Sequence, residues 1–185
     1  MTTIIGFAGS LRRQSFNASL LRAAAALMPA GSTLEIASIA EFPLYNADVE
    51  NGQGIPASVT RLKDRIAATQ GLLIATPEYN NSIPGVAKNA IDWLSRPDAD
   101  VKRVFGNRPV ALMGASPGSF GTTLSQTAWL PVFRTLRMRP YWEGRLMVPR
   151  AHTLFNEAGE LTDDKARGLL RDFVHGFVRF AATAH

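Results

Sequence analysis

Three stretches of this 185-residue chain gather hydrogen-bonding side chains directly behind short apolar runs. Residues 9–17, GSLRRQSFN, offer the hydroxyls of Ser10 and Ser15, the amide of Asn17 and the guanidinium of Arg12. Because they run into a helix, they also present the unpaired N–H groups and partial positive charge of its first turn, which suit a phosphate. A guanidinium can grip two phosphate oxygens at once. Helix capping would account for Ser15 or Asn17 alone, but not for Ser10, Arg12, Ser15 and Asn17 together. Residues 77–82, PEYNNS, and 116–121, SPGSFG, supply loop amides and small side chains. Those suit the edge of a flat heteroaromatic ring.

Other phosphate motifs are missing. The chain has no G-x-x-x-x-G-K-[ST], so a nucleotide-hydrolysing loop is excluded. Gly6 and Gly9 do not form G-x-G-x-x-G, and no acid ends the second apolar run to hold a ribose. No acidic cluster for magnesium sits at the strand ends. With no cysteine, thiolate chemistry and disulfides are excluded, and His152, His175 and His185 lack metal-ligand spacing. A phosphate joined by a chain to a flat ring describes FMN better than a bare nucleotide. The net charge of +5 comes from scattered basic residues, among them Arg12-Arg13, Lys102-Arg103, Arg134, Arg137, Arg139 and Arg145. Few aromatics interleave them, so the pattern reads as a solvated surface favouring small anions rather than a nucleic-acid platform.

The elements that must position these loops are legible in the periodicity. Residues 3–8 and 72–75 read as buried strands, 34–37 as a short second strand, 109–115 as the fourth, and 139–148 hold a fifth, interrupted near Gly144. Between them lie helical patterns. One carries Leu20, Leu21, Ala24, Leu27 and Met28 and ends at Pro29 and Gly31; the next starts at Pro56 with Val59, Leu62 and Ile66. Another bears Val86, Ala90, Ile91 and Leu94, and a fourth starts near Thr122 or Thr123 and is broken at Pro131. The last starts at Thr162, with Asp163 and Asp164 at its positive end and Ala166, Leu169, Leu170, Phe173, Val174, Phe177, Val178 and Ala181 on one face. Residues 39–55 read as a long loop, 95–107 as a polar surface connection and 156–160 as a turn. Strands alternating with helices imply an α/β, doubly wound, five-stranded parallel sheet, flavodoxin-like in order 2-1-3-4-5, with helices on both faces. The chain is expected to be one domain over 1–185, cytoplasmic, with no signal peptide and no membrane-spanning run.

GSLRRQSFN, PEYNNSIPGVAKNAIDW and SPGSFG, in that order, closely resemble the NADPH-dependent FMN reductase family, which has the flavodoxin-like fold and includes quinone, azo-dye and chromate reductases. The likeness runs from residue 3 to about 161, closing with FNEAGELT. It implies that Ser10, Arg12, Ser15 and Asn17, with Phe16 beside them, hold the FMN phosphate. Pro77, Glu78, Tyr79 and Asn80 would line the isoalloxazine, and Ser116, Pro117 and Gly118 would meet its pyrimidine side. Lys88, Asn89, Asp92 and Trp93 also match and read as helix packing and subunit contact. The chain departs from the family after Gly121: a second glycine and an arginine are usual there, whereas here Thr122-Thr123-Leu124-Ser125-Gln126 precede Pro131. The implied activity is a ping-pong cycle, with hydride passing from NADPH, or NADH, to FMN N5 and on to a quinone-like or other small acceptor. No side-chain base or nucleophile is needed, and a homo-oligomer, dimer or tetramer, is implied. Rival readings are a reductase that releases reduced FMN to a partner, a flavodoxin-like electron carrier and a flavin-free relative. No nucleic-acid or membrane partner is expected.

Overall fold

The computed structural model describes residues 1–183, so His185 lies outside the described residues. In chain order, β1 (Thr2–Ala8) leads to α1 (Phe16–Ala26), then β2 (Ser32–Ala37), α2 (Ala47–Gln53) and α3 (Ala57–Ala67). β3 (Gly71–Ala75) is followed by α4 (Gly85–Leu94), the short α5 (Val101–Val104) and β4 (Pro109–Ala115). Next come α6 (Thr123–Ala128), α7 (Leu130–Thr135), β5 (Arg139–Pro140), β6 (Leu146–Val148) and the long α8 (Asp164–Ala182). All pairings are parallel, in the order β2-β1-β3-β4, with the fifth position shared by β5 at the start of β4 and β6 at its end. The expected doubly wound, flavodoxin-like sheet is therefore present, its last strand split where Gly144 was expected to interrupt it.

β3 is buried at every position, the mark of a strand covered on both faces. On one face Leu20, Leu21 and Ala24 of α1 pack with Leu170, Phe173 and Phe177 of α8. On the other, Val59, Leu62 and Ile66 of α3 pack with Ala90, Ile91 and Trp93 of α4 and with Trp129 and Phe133. Pro131 falls in the first turn of α7, where its missing N–H costs nothing, so the helix divides there as its sequence requires. Among the described residues, no helix is long and apolar enough to cross a membrane.

Three sequence expectations need correction. Residues 39–55 are not all loop: α2 forms within them, capped by Asn46, whose side chain accepts from the Asp48 N–H. α2 has no buried residue, so it leaves no hydrophobic period to read; Glu50 holds it in place through a bidentate contact with Arg96 Nε. Residues 95–107 are not merely surface, because Val104 and Phe105 are fully buried. The last helix begins at Asp164 rather than Thr162, with Asp163 as its cap accepting from the Ala166 N–H, and Leu169 is exposed.

The 95–107 segment is anchored by Lys63, which is 2% exposed and donates to Asp100 (2.7 Å) and to the Arg96 carbonyl (2.6 Å). Lys63, and next Arg103, hold the Asp100 carboxyl below the ordinary carboxylate range. A carboxyl depressed in the folded state contributes stability that is complete above its unfolded pKa and is lost as pH falls through the folded one. Asp100→Asn should flatten that acid limb and cost about 3 kcal/mol at pH 7, because the Lys63 ammonium stays buried without its counter-ion. Urea unfolding of both proteins from pH 7 to pH 3 measures the difference; parallel curves would show that the pair is not coupled to folding.

Candidate functional site

The loops leaving β1, β3 and β4 all open at the carboxyl edge of the sheet, on either side of the point where strand order reverses. Pairwise hydrogen bonds tie them into one rim. The Tyr79 hydroxyl donates to Ser10 Oγ (3.3 Å), joining the first loop to the second. Asn17 Nδ2 donates to the Ala115 carbonyl (2.8 Å) and Asn17 Oδ1 accepts from the Ala115 N–H (2.9 Å), joining the first to the third. Glu78 Oε2 accepts from the Leu124 and Ser125 N–H groups (2.8 and 3.0 Å), joining the second to the start of α6.

Close approach of the first two loops depends on Gly9. A Cβ there would sit 3.1 Å from both Pro77 Cδ and Ala87 Cβ. From Gly9 the chain turns through residues 10–15 into α1, whose N-cap is Ser15, with Oγ accepting from the Ala18 N–H. Arg12 N–H donates to Ser10 Oγ, and the Ser15 N–H closes the turn on the Arg12 carbonyl. The N–H groups of Leu11, Arg13, Gln14, Phe16 and Asn17 have no acceptor among the described residues. The Arg12 guanidinium is exposed, lies 5.4 Å from the centroid of the half-buried Phe16 ring and has no carboxylate partner among the described residues. Phe16 in turn leans on Phe155, 5.8 Å between ring centroids. This donor set fits a phosphate: clustered amides, hydroxyls and a guanidinium without a carboxylate partner among the described residues.

The second loop is a miniature hairpin. Tyr79 and Ser82 exchange backbone hydrogen bonds across Asn80 (φ 50°) and Asn81 (φ 62°), both left-handed as a type I′ turn demands. The Asn-Asn pair is the sequence signal for that turn. Pro77 is buried at its base, whereas Tyr79 and Asn80 stand exposed at the crevice. Behind it, the Thr76 hydroxyl is completely buried, 3.0 Å from Ser125 Oγ and accepting from Trp129 Nε1 (3.1 Å). Thr76, Ser125 and Trp129 were not expected as site residues; a threonine before proline at a strand end carries no distinctive signal.

In the third loop, Ser116 Oγ donates to the Gly121 carbonyl (2.7 Å), closing residues 116–121 on themselves. Arg150 N–H donates to the Gly118 carbonyl and Ala151 N–H to the Ser116 carbonyl, so the loop is held from one side. Pro117, Gly118 and Ser119 stay exposed, and a Cβ on Gly118 would meet nothing nearer than Ser116 Oγ at 3.6 Å. Thr122 is fully buried against Gly114: a Cβ on Gly114 would lie 2.0 Å from Thr122 Oγ1. The missing side chain at 114 makes the room that Thr122 takes.

The carboxylate of Glu78 is engaged by two amides of α6 rather than free to move a proton. Glu78→Ala should cost about 1–2 kcal/mol, the worth of a charged helix cap, measurable as a lower urea midpoint. An unchanged midpoint would show the cap to be superfluous. The residues Lys88, Asn89, Asp92 and Trp93 lie along α4. Asn89 accepts from the Tyr45 N–H and donates to the Pro43 carbonyl, which Trp93 Nε1 also reaches (2.8 Å). They strap residues 43–45 to α4, while Lys88 and Asp92 form a surface pair. A separate cavity of about 280 Å³ lies at the sheet edge between α6, α7 and residues 140–145, away from the three loops.

With this geometry in place, comparison with known proteins gives a consistent result. The family model described as NADPH-dependent FMN reductase matches residues 2–153. A NAD(P)H-dependent FMN reductase of Pseudomonas aeruginosa is 42% identical over 168 residues, 91% of this chain and 89% of the other. A 2-hydroxy-1,4-benzoquinone reductase of a Burkholderia species is 36% identical over 166 residues, 90% and 88% of the two chains. Among solved structures, the flavoenzyme NAD(P)H:(acceptor) oxidoreductase of Paracoccus denitrificans superposes with a TM-score of 0.87 at 32% identity, covering 100% of this chain and 99% of that one.

Proposed function

The chain belongs to the NADPH-dependent FMN reductase family, oxidoreductases that work with FMN and NAD(P)H, and from that premise we propose that it keeps FMN in the strand-end crevice and reduces a quinone-like small acceptor in a ping-pong cycle. The observation that carries the reading is the rim itself: three loops fastened to one another around donors that have no acceptor among the described residues. Bound there, FMN would supply the redox chemistry that links a reduced nicotinamide nucleotide to the acceptor.

Everything else falls to the chain. Ser10, Arg12 and Ser15, with the free amides at the start of α1, hold the phosphate; Phe16 backs the Arg12 guanidinium. Asn17 serves the same site by fixing the spacing between α1 and the end of β4. Pro77, Glu78, Tyr79 and Asn80 line the ring, Glu78 through its backbone because its carboxylate is bound to α6. Ser116, Pro117 and Gly118 meet the pyrimidine edge with exposed loop atoms. Hydride transfer needs orientation rather than a protein base, and loops fastened to one another at the strand ends supply orientation.

The same reading makes the chain a single domain and a homo-oligomer, dimer or tetramer, working in the cytoplasm where reduced nicotinamide nucleotides are regenerated. Exposed Tyr79, Phe120 and Leu124 around the mouth support a subunit contact there. Mixing the protein anaerobically with FMN and NADPH should bleach the flavin absorbance, and adding a benzoquinone should restore it. Flavin that stays oxidised rules out the reductase. Flavin that is reduced but elutes apart from the protein on gel filtration points instead to a reductase that releases its product.

A further inference from the structure

The divided fifth strand leaves a gap at the edge of the sheet. β5 is in register with Pro109 and Val110, and β6 with Met113, Gly114 and Ala115, so neither reaches Ala111 or Leu112. Leu112 is accordingly the one residue of β4 that is only half-buried. Residues 141–145 turn away opposite it, and that turn is fastened from the far side. The Tyr141 ring packs among Phe173, Phe177 and Phe180 of α8, with centroids 5.9, 5.9 and 5.3 Å apart. Gly144 and Gly176 make room for it, since a Cβ on them would lie 2.4 and 2.1 Å from the Tyr141 side chain. The cavity of about 280 Å³ between this gap, α6 and α7 is therefore held open by packing.

Leu112, Leu130 and Phe133 give the cavity apolar walls, and Trp142, 67% exposed, completes them on the outside. Two polar side chains interrupt that lining. Arg145 is exposed, and among the described residues its guanidinium meets only Met147 Sδ, at 4.0 Å; the neighbouring Glu143 does not line the cavity. Gln126 is 9% exposed, and its Nε2 donates to Thr122 Oγ1 (3.1 Å) and to the Leu146 carbonyl (2.9 Å). A carbonyl can only accept, so the nitrogen is fixed on that side, and Oε1 is left without a donor among the described residues. That oxygen is not sealed in, because among the described residues Arg139 Nε is the one buried side-chain polar atom lacking a partner. Oε1 therefore opens onto the cavity that Gln126 lines.

A space of this volume lies at the low end for small-molecule sites and takes a single ring rather than a dinucleotide. Aromatic and aliphatic walls suit the faces of that ring. A guanidinium suits a carboxylate, which it can grip with two parallel bonds, and a free amide oxygen suits a hydroxyl donor. We propose that this cavity binds a one-ring aromatic acid carrying a ring hydroxyl, a hydroxybenzoate in the simplest case. The carboxylate pairs with Arg145, the ring lies between Leu112, Phe133 and Trp142, and the hydroxyl donates to Gln126 Oε1. The site lies apart from the strand-end crevice and does not rest on the reductase reading.

The test is calorimetric titration of the FMN-loaded full chain with 3- and 4-hydroxybenzoate, with benzoate and 4-hydroxybenzyl alcohol as probes lacking the hydroxyl and the charge respectively. Arg145→Ala and Trp142→Ala are the variants, both at exposed positions where the fold tolerates change. At least one hydroxybenzoate should bind the parent below millimolar concentration, about tenfold or more weakly to Arg145→Ala and about threefold more weakly to Trp142→Ala. The uncharged alcohol should bind parent and Arg145→Ala alike, and benzoate should bind the parent about threefold more weakly than the better hydroxybenzoate. The visible spectrum of the flavin should stay unchanged throughout, and flavin-free protein should bind the acid equally well, so that this result stands whether or not NADPH reduces the flavin. No binding of either hydroxybenzoate at millimolar concentration overturns the proposal. So does an affinity that Arg145→Ala leaves intact, or an acid that perturbs the flavin spectrum, which would put it in the crevice instead. Benzoate bound as tightly as both hydroxybenzoates overturns the part assigned to Gln126.

Discussion

Arg12→Ala should weaken FMN binding by about tenfold to hundredfold, the loss expected when a charge-assisted hydrogen bond of about 1.5–3 kcal/mol is removed. The fold should hardly notice, because Arg12 is exposed and, among the described residues, its guanidinium meets only the face of Phe16, itself half solvated. The predicted signature is therefore a split: FMN affinity drops while the melting temperature of the flavin-free protein stays within about 2 °C, as for an ordinary surface substitution. Arg12→Lys should fall between, since an ammonium keeps the charge but loses the planar fork that spans two oxygens. Titration of FMN fluorescence measures the affinity. Flavin held equally well by Arg12→Ala would remove the phosphate from this loop and the proposed site with it.

Asn17→Ala should do the reverse and damage the protein first. The Asn17 side chain is 3% exposed and satisfies both backbone groups of Ala115, a residue 98 positions away, at the end of β4. Removing it leaves a buried N–H and a buried C=O unpaired, each costing about 1–3 kcal/mol, so the expected destabilisation is about 2–5 kcal/mol. For a chain of this size that lowers the melting temperature by about 5–15 °C. Asn17→Asp should be little better, because a carboxylate can accept from the Ala115 N–H but can only repel its carbonyl. FMN affinity should fall too, as a consequence of the loops moving apart, and excess FMN should recover part of the lost stability by mass action. A melting temperature unchanged to within 2 °C alongside lost flavin affinity would make Asn17 a ligand group and not a fastening.

These two residues stand eight positions or fewer from Gly9 in the same motif, and sequence alone put both on the phosphate. Their surroundings distinguish them: Arg12 is free among exposed amides, and Asn17 is turned inward onto a strand it could not be seen to approach. Glu78 shows the same division. Its place in the loop was legible, but its contact with the amides of Leu124 and Ser125 depends on α6 starting beside β3, a relation fixed by strand order.

The sequence by itself determined what local chemistry dictates: the continuous apolar strands, the helices with a buried stripe, the break at Pro131, the alternation of strands and helices and the three polar loops behind the strands. Each follows from periodicity, from proline geometry or from the rule that parallel strands need crossovers. Tertiary structure alone decided what depends on neighbours distant in the chain. It formed α2, which buries nothing and is held by Arg96; it made room for Thr122 at Gly114; and it joined the loops through Asn17, Tyr79 and Glu78. Hydrophobic period is a property of a segment, but a hydrogen bond between residues 17 and 115 is a property of the packed sheet, and only the packing shows which polar side chains remain free for a ligand.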